Sequence, residues 1–163
     1  MASSQIKNIT VLMTMFVAAI FLSACQKNIV HTVRTDFADH QIIPIVVNGT
    51  QHRVEVVNTA ESITQGLSDR DHIGSDGMLF FLHEQRIPTF WMKRMHFPLD
   101  LIWINRNHIV DVTRNVPAPN SAIPESDLPL YSPTTSSNMV LEVPAGMSEK
   151  WHIRKGDALE IQQ

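Results

Sequence analysis

Phe90-Trp91-Met92-Lys93-Arg94-Met95-His96-Phe97-Pro98-Leu99-Asp100-Leu101-Ile102-Trp103-Ile104 is the stretch on which the fold turns. Together with Gly77-Met78-Leu79-Phe80-Phe81-Leu82 upstream, it places two strongly apolar runs around a short cluster of charge: Lys93, Arg94, His96 and Asp100. Apolar runs this short, rich in aromatic and branched residues, suit strands buried on both faces. The charges between them must be solvated, paired with one another or offered to a ligand.

Working outward, the same strand character recurs. Ile42 to Val47 is short and mostly β-branched, and Asn48-Gly49 follows it. That dipeptide favours a hairpin, because both turn positions need positive φ. Val54, Val56 and Val57 continue the returning strand. Thr59 is placed to cap a short helix over Ala60 to Gln65, which Gly66 ends. Further strands are expected at Met78 to Leu82, Thr89 to Met92, Leu99 to Ile104, Ile109 to Val116, Met139 to Val143 and Ala158 to Ile161, with one helical turn from Ser148 to Trp151. Prolines at 117, 119, 124, 129 and 133 mark a long surface loop. These elements predict a mainly β domain: a compact antiparallel barrel-like or folded-over sheet with one or two short helices. Closure of that kind removes exposed sheet edges.

The N-terminus reads as a targeting segment. Ile9 to Phe21 is an apolar run too short to span a bilayer comfortably, and it ends in Leu22-Ser23-Ala24-Cys25. That quartet resembles the bacterial lipobox, in which the chain is cut before the cysteine and the cysteine is acylated. The expected organisation is a lipoprotein signal peptide over 1–24, a lipidated tether over 25–40 and a single β-rich domain over 41–163. Cys25 is the sole cysteine, which excludes a disulfide framework and a thiolate metal cluster. Lipid on Cys25 would make a membrane the first partner. It would also place the protein in the bacterial cell envelope, and Gln26 after the cysteine suggests the outer membrane, facing the periplasm. A formal net charge of -3 makes no electrostatic case for nucleic acid.

Gly66-Leu67, Arg70, Gly77-Met78-Leu79-Phe80, Phe90-Trp91-Met92-Lys93, Pro98-Leu99-Asp100, Leu141-Glu142-Val143-Pro144-Ala145-Gly146 and Gly156-Asp157 follow one another in order. In that order they resemble the bacterial and archaeal domain of unknown function 192, from about Val54 to Ile161. The resemblance implies a compact β-rich domain, often exported, and supplies no established activity or catalytic set. Two departures stand out. Ser68 occupies a position where Met is common in the family, and Arg94-Met95 stands where Asn-Thr usually follows the lysine.

Asp100 is the most informative charge. Alternation along the strand puts Leu99, Leu101 and Trp103 on one face and Asp100 with Ile102 and Ile104 on the other. An acid there needs a partner, and Lys93, Arg94 and Arg70 are the cationic candidates. The candidate ligand-binding set is therefore Arg70, Lys93, Arg94, His96 and Asp100, with Asp100 also the candidate acid or base. Three readings follow. The first is an envelope lipoprotein whose domain binds a ligand or protein partner. The second is an enzyme acting on a cell-wall or envelope glycan through Asp100 with Lys93, Arg94 or Arg70. The third is copper or other metal handling through Met95 and His96, where a thioether and an imidazole adjoin. No cofactor motif, zinc-ligand spacing or nucleophile elbow is present, and a structural metal is not expected. Trp91 and Trp103 are expected in the core.

Overall fold

The protein's structure, a computed structural model, describes residues 37–162, so Cys25 and the segment read as a signal peptide lie outside the described residues. Nine strands and two short helices make up the described chain. In order they are β1 (Ile42–Val47), β2 (Thr50–Val57), α1 (Ala60–Gln65), β3 (Gly77–Arg86), β4 (Phe90–Trp91), β5 (Leu99–Asn105), β6 (His108–Val116), a 3-10 turn (Glu125–Asp127), β7 (Leu130–Tyr131), β8 (Ser137–Pro144), α2 (Met147–Lys150) and β9 (Leu159–Ile161).

Seven strands form one curled sheet in the order β6-β5-β8-β3-β2-β1-β9. Its two edges approach each other: His108 bridges to Ala158, and Leu159 N–H donates to the Asn107 carbonyl at 2.8 Å. Curling in this way is what the strand count and turn signals predict, since it leaves little edge unpaired. One pairing departs from the expected antiparallel order. β2 and β3 run parallel, with Glu55 opposite Met78 and Val57 opposite Phe80. A parallel pair needs a crossover, and α1 with its flanking loops supplies it. β4 and β7 form a separate two-stranded sheet; β7 lies inside the proline-rich loop, where sequence alone suggested no strand.

Local signals explain the elements. Asn48 and Gly49 take φ of 50° and 75°, as a hairpin turn between β1 and β2 requires. At α1, Thr59 Oγ1 accepts from the Ser62 amide, and Ser62 Oγ accepts from the Thr59 amide, a reciprocal cap. Phe37 to His40, at the end of the stretch read as tether, are held on the domain. Phe37 packs against Phe81, the Asp39 carboxylate accepts from Ser62 Oγ at 2.7 Å, and His40 N–H donates to the Val56 carbonyl at 2.8 Å.

The sheet has apolar residues on both faces. Ile43, Ile45, Val56, Leu79, Ile102, Ile104, Leu141 and Leu159 meet on one side. Met78, Phe80, Leu99, Leu101, Trp103 and Val140 meet on the other, covered by Leu67, Met92 and Met95. The alternation expected for Leu99 to Ile104 is the one observed. Trp103 is fully buried, its indole N–H donating to Thr113 Oγ1 at 2.9 Å. Trp91, also expected in the core, is instead 45% exposed, because it lies on the small β4–β7 sheet rather than on the main one. Trp151 is half-buried and stacks on His52 with ring centroids 3.6 Å apart.

Candidate functional site

Among the described residues three acids are buried, Glu55, Asp100 and Glu142, and each is treated differently. Asp100 is fully buried, on the face of β5 that carries Ile102 and Ile104. Its Oδ1 accepts from the Asn115 amide at 2.8 Å. Its Oδ2 accepts from the amides of Gly146 and Ser148, both at 3.0 Å, and from Ser148 Oγ at 2.7 Å. The carboxylate therefore ties β5 to β6 and to the start of α2 entirely through hydrogen-bond donors. The cationic partner expected for it is absent among the described residues.

The candidate cations are engaged elsewhere. Arg70 forks onto Glu55 with contacts of 2.7 and 2.9 Å. Lys93 Nζ reaches Glu125 at 2.6 Å, Arg94 Nε reaches Asp69 at 2.8 Å, and His96 Nδ1 lies 3.1 Å from Asp71. The set Arg70, Lys93, Arg94, His96 and Asp100 is thus not assembled into one cluster. Arg94 adopts φ of 51° in the turn from Met92 to Met95. A left-handed position of that kind suits Asn better than Arg, which accounts for Asn at this place in the family pattern. Met95 and His96 also part company: Met95 is buried and His96 is half-exposed beside Asp71. The copper reading rests on that pair, whose two members lie in different surroundings. Among the described residues, no three His, Cys, Asp or Glu side chains converge as a metal site.

Glu55 is held by Arg70 and by His40 Nδ1 at 2.7 Å. The Arg70 hydrogen bonds keep its carboxyl below the ordinary value, and the same contact raises Arg70. Glu55, Met78 and Glu142 lie in one row across β2, β3 and β8, so all three side chains share a face.

Glu142 has no such support. It is buried on β8 between Leu141 and Val143, opposite Met78 on β3 and Leu101 on β5. No hydrogen-bond donor among the described residues reaches its carboxyl. Burial alone pushes it up to about 8. The side chain shares the face of Val140 and lines a cavity of about 300 Å³. Leu67, Phe80, Phe90, Met92, Met95 and Leu99 form much of the wall. Gly66, Ser68 and Trp91 contribute from α1's end and from β4, and Arg86 stands at the far end of β3 from Met78. On the other face of the sheet, Gly77 lets β3 lie close against β8: a Cβ there would lie 2.8 Å from the Glu142 carbonyl oxygen and 3.0 Å from Leu141 and Val143 side-chain atoms.

The geometry answers to a known sequence pattern. A profile for the DUF192 family, described as "Uncharacterized ACR", matches residues 43–161. The chain belongs to the DUF192 family. Two crystal structures are similar in fold to this DUF192 domain. One is a protein of unknown function from Novosphingobium aromaticivorans, 28% identical, with a TM-score of 0.63, covering 77% of this chain and 89% of its own. The other, from Sinorhizobium meliloti, is described as a candidate transcription regulator; it is 26% identical, with a TM-score of 0.64, covering 77% of this chain and 97% of its own. No curated protein matches the chain. Ser68 and Met95, one residue from each departure, line this DUF192 cavity, while Arg94 turns to Asp69. Met at 95 makes the wall more apolar than Thr would.

Sequence reasoning missed Glu142 as a site residue, although the signal was present. Met139-Val140-Leu141-Glu142-Val143 sets an acid inside a strand apolar on both faces, the same pattern that singled out Asp100.

Proposed function

We propose that this DUF192 domain binds a small molecule in the cavity floored by Glu142, and that lipid on Cys25 holds it at the bacterial cell envelope. The observation that carries the binding reading is the carboxyl of a largely buried residue, without a hydrogen-bond partner among the described residues, on the wall of a cavity that joins apolar side chains to Thr64, Gln65, Ser68, Thr89 and Arg86. The Glu142 oxygens are not among the fully enclosed unpartnered atoms, so they open onto the cavity, where a ligand can reach them. A concave site that combines apolar walls with a few placed polar groups is the usual form of a small-molecule site.

Binding is favoured over catalysis because, among the described residues, Arg86 is the only other charged one lining the cavity, and general acid–base chemistry on a substrate needs its further groups within reach. Nothing in the charge balance favours nucleic acid: the net charge is -3. The envelope reading is supported by the quartet Leu22-Ser23-Ala24-Cys25 after its apolar run, and Gln26 favours the outer membrane. Labelling cells with a fatty-acid analogue should mark the wild type and leave Cys25→Ser dark; equal labelling would refute lipidation.

The binding reading is tested by fragment screening against the full-length chain in mild detergent, labelled at its methionine methyls. Fragments that enter the cavity should shift the Met92 and Met95 signals while sparing Met139, which is packed on the opposite face of the sheet. A broad library that moves neither Met92 nor Met95 would refute it.

A further inference from the structure

We propose that the ligand is an amine with a compact apolar or aromatic body, its ammonium group paired with the Glu142 carboxylate. The inference rests on the cavity reading above and adds the chemistry of the head group.

The charges around Glu142 leave one position for a cation. From β2, Glu55 shares the row across Met78, about 10 Å away at two strand spacings, and it is already paired with Arg70 and hydrogen-bonded to His40. From β5, the facing residue is Leu101. From α1 and the loop after it come Ile63, Thr64, Gln65, Leu67 and Ser68, and from the segment before β4 comes Thr89, none of them charged; β4 and the turn after it add Phe90, Met92 and Met95. Arg86 stands at the opposite end of β3. A ligand with a carboxylate head would find Arg86 and leave Glu142 unanswered, whereas an ammonium group answers Glu142 directly.

The walls fit the same chemistry. Phe90 packs edge-on between Phe80 and Trp103, with centroids 5.2 and 5.5 Å apart. Trp91 at the rim already carries an ammonium group, with Lys93 Nζ 5.2 Å from its ring centroid. Aromatic faces attract cations, and more so where water is excluded. A cavity of about 300 Å³ is at the small end for ligand sites, which limits the body to one ring or a short chain.

Burial keeps Glu142 protonated at neutral pH, so binding must release its proton. The ammonium ion and the neutral carboxyl become an ammonium–carboxylate pair, and one proton leaves to the buffer. Affinity for the amine should therefore rise about tenfold per pH unit between pH 6 and 7 and level off above about 8.

The experiment titrates the full-length chain with phenethylamine, phenethyl alcohol and phenylacetate, read at the Met92 and Met95 methyls from pH 6 to 9. Phenethylamine should bind at least tenfold tighter than the other two at pH 8, with the pH profile just given. Glu142→Gln should abolish both the preference and the profile, and the wild-type profile reads the same linkage with no substitution at all. Equal or tighter binding of the alcohol or of phenylacetate overturns the amine assignment while leaving the cavity reading intact. Unchanged amine binding by Glu142→Gln also overturns it. Silence of all three probes overturns it too, and the cavity reading then stands or falls on its fragment screen.

Discussion

Asp100 and Glu142 sit on paired strands one register step apart, Asp100 opposite Val143 and Leu101 opposite Glu142, and they point to opposite faces of the sheet. Four donors surround the first and none of the described residues reaches the second. Identical chemistry and near-identical burial thus yield a structural clasp on one face and a carboxyl lining a cavity on the other.

The clasp predicts the behaviour of Asp100→Asn. An amide keeps the shape but places an NH2 group against donors, and the charge that strengthens each bond is gone. Hydrogen bonds to charged groups are worth about 1.5–3 kcal/mol each, so a loss on the order of 3 kcal/mol is expected. Urea unfolding should show an earlier midpoint with an unchanged slope. Any loss of ligand binding should track the unfolded fraction. A variant as stable as wild type would show that the amides are satisfied without the carboxylate.

Glu142→Gln should behave in the opposite sense. The folded carboxyl is raised from 4.5 to about 8, so the folded state holds a proton that the unfolded state has released across that window. Wild-type stability therefore declines as pH rises from about 4.5 to 8, at up to roughly 1.4 kcal/mol per pH unit, and flattens above. Glutamine does not titrate. The melting temperature of Glu142→Gln relative to wild type should climb through that window. Parallel curves would mean that solvent or a donor already supports the ionised carboxyl.

Gly77→Ala tests how closely β3 packs on β8. The added methyl would meet backbone, the Glu142 carbonyl oxygen at 2.8 Å, and backbone cannot swing aside. The start of β3 must then move off β8, with a cost of about 1–3 kcal/mol expected for overpacking. Chemical denaturation should report the loss, and the Met78 methyl, beside Gly77 and opposite Glu142, should shift. A variant of unchanged stability would mean that β3 accommodates the methyl by a shift too small to matter.

Much of the fold was legible because its signals are local. The Asn48-Gly49 turn, the Thr59 cap and the alternation from Leu99 to Ile104 depend on neighbours in the chain, and each is observed where expected. The parallel pairing of β2 and β3 and the β4–β7 sheet depend on which distant segments meet, and two-residue strands carry almost no pattern. The candidate site failed for the same reason. Lys93, Arg94 and Asp100 are close in sequence, but the turn at Arg94 directs its side chain to Asp69, and Lys93 pairs with Glu125 from the proline-rich loop. Asp100 was rightly judged to need partners; backbone amides from residues 115, 146 and 148 supplied them, and no side-chain inventory reveals those.

Arg70→Gln should separate the third buried acid from the other two. Glu55 is held below its ordinary value of 4.5, first by the Arg70 hydrogen bonds and then by His40. A depressed carboxyl contributes stability that is present above its unfolded value and is lost as pH falls through the folded one. Arg70 is about a third exposed and Glu55 nearly buried, so the pair lies between a surface pair, worth about 0–1 kcal/mol, and a buried one whose rupture costs about 3–5. A loss of about 2 kcal/mol at pH 7 is expected, with His40 left as a weaker partner. The difference from wild type should shrink as pH drops below 4.5, because a protonated Glu55 no longer needs Arg70. Glu55 thus erodes wild-type stability toward acid while Glu142 erodes it toward alkali. A stability maximum in the mildly acidic range follows, displaced toward neutrality in Glu142→Gln and persisting with a gentler acid limb in Arg70→Gln. A difference between Arg70→Gln and wild type that stays constant down to pH 3 would show that Arg70 acts through packing and not through Glu55.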